Sequence, residues 1–189
     1  MIFFLYLILS EMKLEPISLA DLPLYEKSFG DPEYMAELGG IQPAEKIPGI
    51  LNRQIACNEK DSGWVLKLVP TEEDVEEGEL ERDPDLKLGV GTVCIWGGEF
   101  EGEEVTEMGW GVLTKYQNRG FATKGVRLML EKAKDNGRWG FIHCFTSTTN
   151  TASNAMCRRL GFQLLGECDI DYDGRPLHSN HYQFDARKV

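Results

Sequence analysis

At 189 residues the chain has the length of one ordinary domain, or of one domain with an appendage. Hydrophobic residues at 42 % and charged residues at 27 % are a globular composition, which excludes wholesale disorder and fibrous structure. A formal charge of −11 argues against sequence-independent nucleic-acid binding, which needs Lys and Arg to displace phosphate counterions.

The apolar run Ile2 to Leu9 is far shorter than the ~20 residues that span a bilayer. It also lacks the basic flank and cleavage site of a signal peptide. Residues 1–11 are therefore expected to be a strand or packed arm, or a tail before a start at Met12, with one domain over 12–189. Leu14 to Ser18 predicts a short strand, and Ser18 or Asp21 caps a helix over Leu22 to Phe29. Pro43 to Cys57 has helical spacing at Ile47, Ile50, Leu51 and Ile55. Gly63 to Val69 alternates as a strand. Thr71 to Asp85 carries nine acidic residues against Arg82 alone, so most of the net charge belongs to this insert. It either lines a cleft for a cationic amine or is a solvated loop.

Leu88 to Trp96 and Glu104 to Leu113 predict two strands joined by a hairpin-like connection over Gly97 to Gly102. Phe121 to Asn136 predicts an amphipathic helix stopped by Gly137. Trp139 to Thr146 is a strand, Ser153 to Leu160 a helix stopped by Gly161, and Phe162 to Cys168 and His181 to Asp185 the last strands. A meander followed by alternating strands and helices argues an α+β fold with a mixed sheet and helices on its faces. Five cysteines without a CxxC pair read as free thiols in a reducing, cytoplasmic compartment. His143, Cys144, His178 and His181 match no zinc spacing, and no metal is expected.

The chemistry concentrates at Gln117-Asn118-Arg119-Gly120-Phe121-Ala122, where a strand runs into a helix. Gly120 permits a tight turn and close ligand approach. The first N–H groups of the helix lack internal partners and, with the helix dipole, favour an anion such as pyrophosphate. Gly109 and Gly111 in the preceding strand mark a bulge, a place where something approaches the backbone, or tight helix packing.

Gln117-x-x-Gly120-x-Ala122 resembles the Q/R-x-x-G-x-G/A motif of the GNAT superfamily of acetyl-CoA-dependent N-acetyltransferases. Asn150-x-x-Ser153 followed by Leu160-Gly161-Phe162 is similar to that family's second motif, and residues 14–40 resemble the opening of its branch of ribosomal-protein and small-molecule acetyltransferases. The resemblance covers nearly the whole chain except residues 1–11 and the acidic insert. It implies a single domain with a mostly antiparallel sheet. It also implies acetyl-CoA as cosubstrate, a small-molecule amine or peptide N-terminus as acceptor, no nucleic-acid or membrane partner, and a monomer or homodimer.

The resemblance places the coenzyme pyrophosphate on the backbone of Asn118, Arg119, Gly120, Phe121, Ala122 and Thr123, with Gln117 in the motif. Trp110, Gly111 and Val112 would pair with the pantetheine arm, and Asn150 and Ser153 would flank it. Ser153 also suits a helix N-cap. In this family the amine attacks the thioester directly. Glu107 is the candidate general base. Cys157 and Tyr182 are candidate acids, and Cys157 also reads as a small buried hydrophobe. A non-catalytic acetyl-CoA sensor on the same fold is the competing reading.

Overall fold

The computed structural model describes residues 12–188, so the expected arm over residues 1–11 lies outside the described residues. Strand β1 (Lys13–Pro16) is followed by a 3₁₀ turn, Leu19–Asp21, held by a reciprocal Ser18–Asp21 capping box. Asp21 is buried and also receives Lys67 Nζ at 2.8 Å. Helices α1 (Leu22–Phe29) and α2 (Ile47–Glu59) follow, then β2 (Gly63–Val69). Short helical turns α3 (Glu79–Arg82) and α4 (Asp85–Leu88) lead to β3 (Gly91–Phe100) and β4 (Glu103–Val112). Helix α5 (Phe121–Asn136), β5 (Phe141–Ser147), α6 (Thr151–Arg159), β6 (Gln163–Asp171) and β7 (Pro176–Asp185) complete the fold.

The strands form one seven-stranded sheet in the order β1-β2-β3-β4-β5-β7-β6. Every pairing is antiparallel except the parallel β4–β5 seam. Successive strand residues point to opposite faces, and the two cores follow that alternation. Leu66 and Leu68 belong to a large cluster with Val126, Met129 and Leu130 of α5. Val65, next to Leu66 on the strand, joins Tyr25 of α1 and Ile50 and Leu51 of α2 on the other face. Helices thus cover both faces, as the sequence predicts.

Three boundaries shift for physical reasons. The hairpin expected over Gly97 to Gly102 is a two-residue turn at Glu101-Gly102, with φ of +54° and +83°. Positive φ at both turn positions matches the strand twist, so Gly97 and Gly98 stay in β3. β7 begins at Pro176 rather than His181: its first half pairs with β6, and its polar residues give the sequence no apolar alternation to show it. Helix α6 starts at Thr151 with Asn150 as its N-cap, accepting from Ser153 N–H at 3.0 Å. Ser153 therefore sits in the first turn instead of capping it; Asn serves as well as Ser at that position.

Candidate active site

The parallel seam is the feature that builds the site. β4 and β5 pair at two positions alone among the described residues, Thr106 with Ile142 and Glu107 with His143. Beyond Glu107 the strands part. The β3–β4 pairing runs without a shift from Gly91–Val112 to Phe100–Glu103, so β4 carries no bulge and the opening lies wholly on its β5 side. Leu113 N–H donates to Val90 O at 2.8 Å. By alternation, Val112 and Trp110 turn their peptide groups the other way, toward the opening.

Each arm of the split ends on a carbonyl taken by a side-chain amide. Gln117 Nε2 donates to Val112 O at 3.1 Å, and Asn154 Nδ2 donates to Ser147 O at 2.8 Å. Buried backbone carbonyls need partners, and here two amides stand in for the missing rungs. Asn154 is a hub that sequence reading missed. Its Nδ2 also reaches Asn150 O at 2.7 Å, and its Oδ1 accepts from Thr146 Oγ1, Asn180 Nδ2 and Tyr182 Oη at 2.8, 2.7 and 3.0 Å. Its position inside the helix gave no signal, because an Asn four residues after an Asn cap reads as an ordinary polar helix residue. Asn154→Ala is expected to cost about 3 kcal/mol, since several buried groups lose their partner together. For a chain of this length that lowers Tm by roughly 6–12 °C, read by thermal denaturation.

The two strand glycines have a different role from an open ligand channel. A Cβ at Gly109 would lie 3.2 Å from the Trp96 ring, and one at Gly111 would overlap the Tyr34 side chain. Neighbouring aromatics fill those spaces on the α1/α2 face. Gly98 likewise makes room for the Glu107 carboxylate.

The loop expected to hold the phosphates turns through two left-handed residues. Gly120 precedes α5 with φ +84°, and Asn118 is also left-handed at φ +60°. The first helical bond of α5 is Lys124 N–H to Gly120 O at 3.0 Å. The N–H groups of Phe121, Ala122 and Thr123 precede it and have no backbone partner among the described residues. A Cβ built on Gly120 meets nothing within 4 Å, so the space over this loop is open. Unpaired N–H groups at an open helix start could hold a pyrophosphate.

The acidic insert is not a solvated loop. Val75 and Leu80 pack on the main core, as does Leu86 just after the insert. Its carboxylates pair with cations around the phosphate loop: Asp74 with Lys124 at 2.5 Å, Glu79 with both Arg119 nitrogens at 2.8 Å, and Asp83 with Lys115 at 2.5 Å. Those hydrogen bonds hold Glu79 and Asp83 below the usual carboxylate range, and Asp74 lies low as well, despite its burial, because Lys124 and Thr71 bond to it.

Glu107 occupies the last rung before the strands part. It is half-buried and makes no hydrogen bond or ion pair among the described residues, and burial pushes its carboxyl above the ordinary value. Its register partner His143 bonds through Nδ1 to His181 Nε2 at 2.7 Å. Burial lowers both imidazoles. Phe100 and Phe145 flank His181 at ring distances of 4.8 and 4.6 Å. His178 of β7 sits away from this pair, with Asp169 and Glu167 of β6.

The two candidate acids lie elsewhere. Glu107, His143 and Gln183 are in register on one face, so Tyr182 projects from the opposite face. Tyr182 is fully buried, and its hydroxyl is engaged by Asn154 and Arg158. Cys157 is equally buried, with its sulfur 3.7 Å from that of Cys144. The packing reading of Cys157 matches that environment. Among the described residues no three His, Cys, Asp or Glu side chains group to hold a metal ion, and no helix is long and apolar enough to cross a membrane.

Comparison with known proteins gives the class and family of this split-sheet fold. The family model described as acetyltransferase (GNAT) domain matches residues 11–163. The chain belongs to the GNAT family and is an acyltransferase with acetyl-CoA as cosubstrate. Solved structures share its fold at low identity. RimJ of Mycobacterium smegmatis, in complex with a CoA-disulfide, superposes with a TM-score of 0.71 at 16 % identity, covering 94 % of this chain and 83 % of that one. An acetyltransferase of Salmonella typhimurium that modifies the N-terminal serine of ribosomal protein L7/L12 gives 0.70 at 12 % identity, covering 93 % and 95 %. The acetyltransferase yncA from the same organism, with acetyl-CoA, gives 0.68 at 16 % identity, covering 94 % and 95 %. No curated protein matched the chain.

Proposed function

We propose that this chain transfers the acetyl group of acetyl-CoA to a primary amine that meets the coenzyme in one ternary complex, with Glu107 as the proton acceptor. The observation that carries this reading is the position of Glu107. Its unpartnered, desolvated carboxylate stands at the point where β4 and β5 separate. A carboxylate with a raised pKa is a better base near neutral pH than an exposed one.

The coenzyme supplies an activated thioester. The chain's residues do the rest. The N–H groups from Asn118 to Thr123 hold the pyrophosphate, and the outward-facing peptide groups of Trp110 and Val112 pair with the pantetheine amides. The same strand edge offers N–H donors for charge that builds on the acyl oxygen. Gln117 fixes the end of that edge, and Asn150, by capping α6, fixes the opposite wall together with Ser153. Glu107 takes the proton of the incoming ammonium, directly or through one water. A thiolate is a good leaving group, and the burial of Cys157 and Tyr182 fits a departure without a dedicated acid.

Trp96, Tyr34 and Glu107 share one face, which supports an acceptor approaching from the α1/α2 side as a cationic amine. A small amine or a peptide N-terminus suits that chemistry. The test is acetyl-CoA turnover against a panel of polyamines, aminoglycosides, amino acids and N-terminal peptides, read by thiol release. Amine-dependent release identifies the acceptor class. Coenzyme binding without release to any amine would sink the catalytic reading in favour of a coenzyme sensor.

A further inference from the structure

Lys115, Arg119 and Lys124 surround the phosphate loop, and each is held by a carboxylate of the insert. The pairs are ordered along the chain, so the insert lies across the loop as a strap. Two of its acids are anchored beyond the ion pair: Asp74 accepts from Thr71 N–H and Oγ1 at 2.8 and 2.9 Å, and Asp83 accepts from Tyr116 Oη at 2.7 Å. Glu79 has one further contact, the Glu76 N–H at 3.0 Å. Arg119, stacked beside Phe121 with its guanidinium 5.0 Å from the ring, stands at the start of α5, next to Gly120. Five further acids, Glu72, Glu73, Glu76, Glu77 and Glu81, are exposed on the same segment.

We infer that the strap is an internal competitor of the coenzyme: Glu79 occupies the Arg119 guanidinium that a coenzyme phosphate would otherwise take, and so sets coenzyme affinity. The inference rests on the phosphate-loop reading above. A planar guanidinium offers one bidentate face to a carboxylate or to a phosphate, and the two anions exclude each other there. Affinity is then reduced by the fraction of molecules in which Arg119 is free. Glu79 is the member that bears on the cradle, since its partner Arg119 adjoins Gly120 and its one further contact is the Glu76 N–H. The strap thereby separates two roles: the backbone cradle recognises the phosphates, and the strap tunes how tightly they are held.

The experiment is acetyl-CoA titration by calorimetry of the wild type, Glu79→Gln, Arg119→Gln and the double variant. Glu79→Gln should tighten binding by about fivefold, the scale of a solvent-accessible ion pair. The gain should vanish in the double variant, which is the coupling signature of a shared partner. Salt gives a second reading. As ionic strength rises from about 0.01 to about 0.15 M the Debye length falls from ~30 to ~8 Å. Wild-type affinity should change little, because screening weakens the strap pair and the phosphate contact together. Glu79→Gln should lose affinity more steeply, having only the second.

Unchanged or weaker binding in Glu79→Gln, with Gly120→Val still unable to bind, overturns the competitor role and leaves the phosphate loop standing. Wild-type binding in Gly120→Val places the phosphates elsewhere, and both readings then fall.

Discussion

Glu107→Gln is expected to lower kcat by about 10²–10⁴-fold, the range of a positioned general base, with acetyl-CoA affinity near that of the wild type. Rate should recover in part at high pH, where free amine is abundant. The same substitution should make the protein more stable at neutral pH. Burial raises the Glu107 carboxyl and offers it no compensating partner. The neutral form is therefore favoured in the folded state. That contribution to stability is complete below the ordinary carboxylate value of about 4.3 and is lost as pH rises through the raised one. At pH 7 the ionised side chain is a cost, and the glutamine amide removes it. Thermal melts at neutral and acid pH should show the variant above the wild type at the first and level with it at the second. A Glu107→Gln protein with wild-type kcat at neutral pH would assign the base to another residue or to bulk water. Opposite signs for activity and stability mark a functional group kept at the expense of the fold.

Gly120→Val should abolish measurable coenzyme binding while leaving a folded protein. Two effects act together. A valine at φ +84° is strained by about 1–2 kcal/mol, which lowers stability without unfolding a domain of this size. A Cβ there meets nothing within 4 Å, so the valine methyls are expected to take up space beside the unpaired N–H groups of Phe121, Ala122 and Thr123. Losing two charge-assisted hydrogen bonds of about 1.5–3 kcal/mol each weakens binding by about 10²–10⁴-fold. Calorimetry with acetyl-CoA reads the binding, and circular dichroism confirms the fold. Retained affinity in a folded Gly120→Val protein would move the anion to a different site.

Elements whose signal is local were legible in the sequence. Helix α5 runs from Phe121 to Asn136 as its 3.6-residue periodicity and the stop at Gly137 require. Strand β2 and helix α1 also keep their predicted bounds. The Gln117–Ala122 motif pointed to the left-handed turn before α5 because a glycine at a strand-to-helix junction has a direct backbone meaning. What escaped were pairings across the fold. The charge count of residues 71–85 says nothing of where Lys115, Arg119 and Lys124 lie, so the insert's docking could not be read. Gly109 and Gly111 looked like openings for a ligand because the aromatic rings that fill them come from Trp96 and Tyr34, one strand and one loop away. The first half of β7 hid for the opposite reason: polar residues near the edge of a sheet carry no hydrophobic alternation.

The two-rung seam also has a meaning for how the protein assembles. The sheet is two antiparallel ribbons, β1 to β4 and β5-β7-β6, each built from pairings internal to its own half of the chain. Among the described residues the seam joins the two ribbons by the rungs Thr106–Ile142 and Glu107–His143 alone. The seam is thus the line along which the sheet has least of its own to hold it, and it is where the coenzyme is proposed to lie. A ligand there acts as a suture between two halves, so its presence decides whether they come apart separately or as one cooperative unit.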